Sequence, residues 1–222
     1  TELFDSFDLD VKVELLNNGH APVVNERHFH FDEELFKMCP DHVDLRGYFQ
    51  TEKYFKHIEK EIRSDFTFKD EILNPCKEMI ESVENPIALH VRRGDYIKNA
   101  ENHFNLPRAY YEAALSKFDA NRNVIVFSDD PVWCHDEGTF ADDRFIISEN
   151  EDNRVDLCLM SLCDDFIIAN SSYSWWGAWL STNKDKTVIA PAQWFGKTGY
   201  TKDHNTKDLI PNDWTIINDG QE

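Results

Sequence analysis

Pro86-Ile87-Ala88-Leu89-His90-Val91-Arg92-Arg93-Gly94-Asp95-Tyr96 is the stretch on which the fold reading turns. An apolar run without alternation is what a parallel strand covered on both faces looks like. This one ends in two adjacent guanidinium groups, a glycine and a carboxylate. A period of two carried to the strand's tip puts His90 and Arg92 on one side and Arg93 on the other, until Gly94 frees the backbone. Paired arginines at a strand's carboxyl end are rigid forks that can hold a pyrophosphate bidentately and stay charged at any working pH. That makes a phosphate site without a Gly-rich loop.

Working outward, the chain from about residue 75 alternates as βα units do. A helix is predicted over 75–83, with Pro75 in a tolerated first-turn position, and another from Leu106-Pro107 through Phe118. Strands are predicted over 86–91, 123–127, 144–147, 165–169 and 187–190, the last stopped by Pro191, with helices over 153–163 and 174–181. The first 70 residues lack this rhythm: they carry a turn signal at Gly47 before Tyr48-Phe49 and a helix predicted over 52–63. From Gly196 the chain is polar and loop-rich, closing on Trp214-Thr215-Ile216-Ile217. The expected architecture is an α/β fold with one Rossmann-like parallel sheet in residues 71–222, preceded by a reduced or truncated N-terminal lobe in residues 1–70.

The chain has 222 residues, 41% of them hydrophobic, enough to bury a proper core. Its 23 basic residues face 42 acidic ones, a formal net charge of -19. That balance argues against nucleic acid or an anionic membrane surface as partner, so an anionic ligand needs a local cationic island. No apolar run is long enough to span a membrane, and no signal-peptide pattern is present. The opening Thr1 points to processing or truncation. Cys39, Cys76, Cys134, Cys158 and Cys163 are scattered and form no CxxC pair, which reads as free thiols in a reducing compartment.

In open parallel sheets, ligands bind beyond the carboxyl ends of the strands. Three polar clusters fall on such ends. Beside the arginine pair, Ser128-Asp129-Asp130 carries carboxylates able to accept from a guanine's N–H groups or from ribose hydroxyls. Asn170-Ser171-Ser172-Tyr173-Ser174-Trp175-Trp176 ends a strand and begins a helix, whose open N–H groups and hydroxyls suit a phosphate oxygen. Each cluster has a plainer reading. Adjacent arginines are often a solvated face, Asp129 or Asp130 can be an N-cap, Ser172 or Ser174 can cap the helix, and the tryptophans are core at four-residue spacing. The coincidence of three clusters at three strand ends favours a nucleotide diphosphate pocket. Elsewhere, Arg93-Gly94-Asp95 is a chance adhesion tripeptide. His28 and His30 lack a third metal ligand, and Asp8-Leu9-Asp10 lies outside the α/β region. Asn170-Ser171-Ser172 is a formal glycosylation acceptor in a poor place for a glycan.

Three segments closely resemble the alpha-1,2-fucosyltransferase family, the family-11 glycosyltransferases: 90–96, 126–134, and 156–161 running into 170–180. Gly47-Tyr48-Phe49-Gln50-Thr51-Glu52-Lys53-Tyr54-Phe55 is also similar to the family. The resemblance implies an inverting, metal-independent enzyme of the two-Rossmann (B-type) kind. It implies GDP-fucose as donor, no further cofactor, and the terminal galactose of a glycan as acceptor in alpha-1,2 linkage. It assigns Arg92 and Arg93 to the pyrophosphate with His90 beside them, and Asp129 or Asp130 to guanine. Ser172 and Ser174 fall to phosphate or ribose oxygens, with Ser128, Asn170 and Ser171 in the same set. Arg92 would then stabilise the departing GDP. Asp95 is the carboxylate nearest in sequence to serve as base, or it merely orients an arginine. The Gly-Gly-Leu-Gly-Asn-Gln segment with which family members begin is not found, which leaves a fragment, or a silent GDP-sugar-binding protein, beside the enzyme. A fucosyltransferase of another linkage is a further alternative. The setting expected is cytoplasmic, of bacterial or viral type, or the Golgi lumen if an N-terminal anchor precedes the chain.

Overall fold

The predicted alternation is realised as a parallel sheet in a computed structural model, which describes residues 3–9, 21–136 and 138–218. The N-terminal part holds β1 (Val23–Asn25), α1 (Glu33–Met38) and β2 (Asp44–Arg46), with β1 and β2 paired in parallel. Then come α2 (Glu59–Asp65) and α3 (Asp70–Ile80). The main unit runs β3 (Ile87–Val91), α4 (Gly94–Lys98), α5 (Arg108–Leu115), β4 (Val124–Ser128), α6 (Pro131–Asp136) and β5 (Phe145–Ile147). It continues with α7 (Asn153–Ser161), β6 (Asp165–Ile167), α8 (Ser172–Leu180), β7 (Val188–Pro191) and β8 (Thr215–Ile217).

The six-stranded sheet has the order β5-β4-β3-β6-β7-β8, every pairing parallel. The chain builds β3, β4 and β5 in one direction, then returns to the other side of β3 for β6, β7 and β8. This is the Rossmann order, with its topological switch point between β3 and β6. All five residues of β3 are buried. Ile87, Leu89 and Val91 pack with Tyr110, Tyr111 and Ala114 of α5 on one face, and Ala88 joins the opposite core with α3, α7 and α8. Two separate cores on two faces are the reason the strand does not alternate in hydrophobicity.

Some expectations shift. The helix predicted over 75–83 begins at Asp70, with Asp70 and Glu71 in its first turn, so Pro75 lies inside it. The turn-stabilising acids at its positive end set the start. The helix predicted over 52–63 breaks into short turns at 52–54 and 56–58 before α2. The sheet has a sixth strand, β8, in the segment read as loop, because its pairing with β7 is long-range and leaves little local signal. Asp8 is exposed outside the sheet; Asp10 lies outside the described residues.

The N-terminal part is fastened to α8 by aromatic packing. Phe55 stacks on Trp176 at 5.4 Å, the Arg63 guanidinium lies 4.1 Å over the Trp179 ring, and Trp179 Nε1 donates to Glu52 Oε2 at 3.2 Å. Trp175 and Trp179 are buried, as a core reading requires. Between α7 and α8 there is no room for a side chain at Gly177: a Cβ there would collide with the buried Met160 sulfur and lie 2.8 Å from its Cγ. Alanine gains at most about 1 kcal/mol in helix propensity, whereas overpacking costs ~1–3 kcal/mol. Gly177→Ala is therefore expected to lower stability in urea unfolding, by about 1–2 kcal/mol; an unchanged or raised midpoint would show that Met160 simply moves aside.

Candidate functional site

The carboxyl end of β3 delivers Arg92 and Arg93 beside the carboxyl end of β4, because Val91 and Ser128 are register partners. The two arginines do not stand free. Arg92 Nη2 donates to Asp95 Oδ1 at 2.5 Å and its Nη1 lies 3.2 Å from Asp129 Oδ2. The Arg93 backbone N–H donates to Asp129 Oδ1 at 2.8 Å, and its Nε donates to Asp130 Oδ2 at 3.1 Å. Its guanidinium also lies 4.0 Å over the Trp133 ring. The expected cationic island is thus a cluster of two arginines held by three carboxylates, which fixes both forks in place without leaving net positive charge. Arg92 Nε is buried there without a partner.

Gly94 is needed for space. A Cβ would strike the Asp129 carboxylate, so glycine is what lets that side chain cap the Arg93-Gly94 turn. Asp130 combines the N-cap reading with the arginine pair: its Oδ1 accepts from Trp133 N at 3.1 Å at the start of α6. Ser128 accepts from Asp130 N at 3.0 Å. Asp129 and Asp130 are thus occupied by turn, cap and arginines, and neither carboxylate is open for a base edge in this state.

The third cluster is mostly buried, so as a whole it does not form the phosphate site expected of it. Ser174 is 0% exposed; its Oγ accepts from Ala169 N at 3.2 Å and lies 2.9 Å from His90 Nδ1. It ties β3 to the start of α8 across the switch point and cannot reach a phosphate. Asn170 is 1% exposed and spends its Nδ2 on the carbonyls of Phe104 and Trp194, at 2.8 and 2.7 Å. Ser171 is the N-cap of α8, accepting from Tyr173 N at 3.3 Å. Ser172 alone of these side chains is exposed, at the first position of that nine-residue helix. Local sequence could not tell which one of four neighbouring polar residues at a helix start stays exposed while the other three are buried.

A cavity of about 240 Å³ opens over the carboxyl ends of β3 and β4, lined by His90, Arg92, Ser128, Asp129, Asn150, Asp156 and Tyr173 among others. Asp156 opens the 156–161 segment that resembles the family. It is buried on α7, and its Oδ1 accepts from Ser148 Oγ at 2.6 Å and Asn150 Nδ2 at 2.9 Å. Burial raises its pKa above the usual carboxylate value, and these hydrogen bonds offset only part of that rise. Its signal in the sequence is a lone acid among apolar α7 positions. Among the described residues there is no group of three His, Cys, Asp or Glu placed to hold a metal ion.

Residues 14–218 match Glycosyl transferase family 11. The chain belongs to this family. It is 39% identical over 174 residues to the O-antigen biosynthesis glycosyltransferase WbnK of Escherichia coli, an overlap of 71% of this chain and 57% of that protein. It is 35% identical over 188 residues to an Escherichia coli alpha-1,2-colitosyltransferase, covering 79% and 62%. It is 25% identical over 200 residues to the galactoside 2-alpha-L-fucosyltransferase Sec1 of Mus musculus, covering 81% and 54%. This family-11 chain thus spans 54 to 62% of the length of these curated relatives. No helix among its described residues is long and apolar enough to cross a membrane.

In the family-11 chain, His90 is 4% exposed, and burial, then the Arg92 charge, pushes its pKa down to about 3 from an ordinary 6.5. The imidazole is therefore neutral. Ser174 Oγ accepts from Ala169 N, lies 3.3 Å from the Ser171 carbonyl to which it can donate, and shares a 2.9 Å hydrogen bond with His90 Nδ1. Because the folded pKa lies below the unfolded one, the unfolded chain takes up this proton first. The contribution is complete above pH 6.5 and is lost as the pH falls toward 3. At pH 5 that amounts to about 2 kcal/mol. The stability difference between wild type and His90→Gln, from denaturant unfolding at pH 7.5 and 5, should narrow by about this much; a difference independent of pH would mean that His90 is charged in the fold.

Proposed function

We propose that this chain carries the donor-binding part of an inverting transferase that moves fucose from GDP-fucose to a terminal galactose hydroxyl in alpha-1,2 linkage. The observation that carries the reading is the Arg92–Arg93 cluster at the switch-point end of the sheet, opening on a cavity with one buried, arginine-free acid, Asp156. A colitosyl donor is the second reading, favoured by 35% identity to the alpha-1,2-colitosyltransferase. Residues 1–70 would belong to the acceptor-side lobe and 71–222 to the donor lobe. The five free cysteines fit a reducing, cytoplasmic setting.

The acceptor oxygen attacks the fucosyl C1 from the side opposite the diphosphate, and the C1–O bond breaks with its electron pair going to GDP. Arg92 meets that developing charge. Its bond to Asp95 costs little to exchange, since exposed ion pairs are worth about 0–1 kcal/mol and Asp95 is 66% exposed. An entering diphosphate takes over the fork, and Asp129 keeps the guanidinium in register. Ser172 and the open N–H groups of α8 add the helix's positive end. Guanine presents adjacent N–H donors that a carboxylate can accept together, which assigns the base to Asp156 in place of Asp129 or Asp130.

Calorimetry should find GDP bound at least about tenfold more tightly than UDP, and Asp156→Asn should remove most of that preference, as loss of a charged hydrogen bond worth ~1.5–3 kcal/mol requires. Equal affinities for GDP and UDP in wild type would end the guanine assignment. Arg92→Lys should lower transfer from GDP-fucose to a galactoside by about tenfold or more, because an ammonium lacks the planar fork. Transfer should also persist in excess EDTA, since cationic side chains and the α8 terminus cover the leaving charge. Loss in EDTA restored by manganese would refute this, and GDP binding with no transfer at all would make the chain a binding protein.

A further inference from the structure

A second pair of neighbouring cavities lies on the other side of Tyr96 from the arginine cluster. One measures about 240 Å³ and the other about 120 Å³, and both are lined by Tyr48, Gln50, Ser172 and Trp194. Together they fall in the range of a cleft for one small ligand. Among the described residues their walls carry no Asp, Glu, Lys or Arg, in a chain of which 29% is charged. Aromatic faces with scattered amide and hydroxyl groups, and no charge, suit an uncharged polyhydroxylated ring. Aromatic rings cover its C–H faces, and the polar groups accept and donate to its hydroxyls.

The wall from the N-terminal part is built deliberately. Phe49 sits at φ 48°, a left-handed conformation that is strained for a bulky residue. Glu26 Oε2 holds that turn by accepting from the N–H groups of Tyr48 and Phe49, at 2.8 and 3.1 Å. The turn puts Tyr48 and Gln50 in the cleft wall with Ser172 at the start of α8, and the next residue, Tyr173, lines the donor cavity.

Tyr96 joins the two sites. The Arg92 guanidinium carbon lies 5.2 Å from its ring centre, and its hydroxyl donates to the Asn170 carbonyl at 3.1 Å. His103 stacks on the same ring at 4.0 Å with an interplanar angle of 13°, and lines the smaller cavity. Asp95 lines none of these cavities. The second imidazole in the wall, His204, is stacked on Phe29 and has its Nδ1 buried.

We propose that this uncharged aromatic cleft is the subsite for the acceptor's terminal pyranose, and that His103 is the base on the attacking hydroxyl. The proposal rests on the donor assignment above. In the transfer step the hydroxyl proton passes to a His103 ring nitrogen as the oxygen bonds to the sugar C1. The C1–O bond to the diphosphate breaks and its electron pair leaves on GDP beside Arg92. Burial lowers the His103 pKa, the nearby Asp95 raises it and Arg92 lowers it, so the ring is neutral and free to accept.

The experiment uses the whole chain with GDP, methyl β-galactoside titrated by NMR, and transfer rates from GDP-fucose. Tyr48→Ala and Gln50→Ala should each weaken galactoside binding about tenfold while leaving GDP affinity within about twofold, which also reports an intact fold. His103→Gln should bind both ligands like wild type and transfer at least about 100-fold more slowly. Unchanged galactoside affinity in both Tyr48→Ala and Gln50→Ala overturns the subsite, and near-wild-type transfer by His103→Gln overturns the base. A wild-type chain that does not bind GDP overturns the donor reading instead.

Discussion

A strand with no exposed face dictates the rest of this molecule. With all of Ile87 to Val91 buried, β3 must be covered on both sides, and the chain supplies α5 to one face and α3, α7 and α8 to the other. Only the strand ends then remain open to solvent. Because neighbours run parallel, their carboxyl ends crowd together, and Arg92, Asp129 and the start of α8 become neighbours though they are distant in sequence. The His90–Ser174 contact closes the switch point at its base, with both side chains buried and each satisfying the other. A polar pair in that position is tolerable only when hydrogen-bonded, and it keeps Ser174 in the fold while the His90 ring edge lines the cavity.

The electrostatics follow from the same crowding. In a chain with net charge -19, the arginines at the sheet's end are matched by Asp95, Asp129 and Asp130. A free guanidinium pair would lose rotamer freedom only when a ligand arrives; here that ordering is already complete. The exposed Asp95 contact is the weak member and the turn-capping Asp129 contact the strong one, so the cluster combines a fixed orientation with one replaceable partner.

Membership of glycosyl transferase family 11 and the aromatic seam between the N-terminal part and α8 bear on each other. The Gly47-to-Phe55 stretch does not touch the arginine cavity, yet it packs against the same α8 helix whose first turn borders it. A helix packed by Phe55, Arg63 and Glu52 on its tryptophan face cannot shift its first turn independently. The N-terminal part thereby holds the Ser172 end in position relative to the strand ends.

Sequence alone determined the parallel α/β class, five of the six sheet strands to within a residue or two, and the arginine pair, because unbroken apolar runs and strand-end punctuation are local signals. It also marked the Tyr48 stretch and α7 without assigning them work. It could not tell which of Asn170, Ser171, Ser172 and Ser174 would face solvent, since that depends on which strand β6 joins and where α8 lands. Nor could it tell that the Asp129 and Asp130 carboxylates are engaged by a turn, a cap and two arginines, or that Asp156 is the buried acid of a cavity also lined by Asp129 and the exposed Glu151. Strand β8 lay beyond it for the same reason as the uncharged aromatic cleft. Both arise from contacts between residues far apart in the chain, and only the tertiary packing decides which distant side chains share a surface.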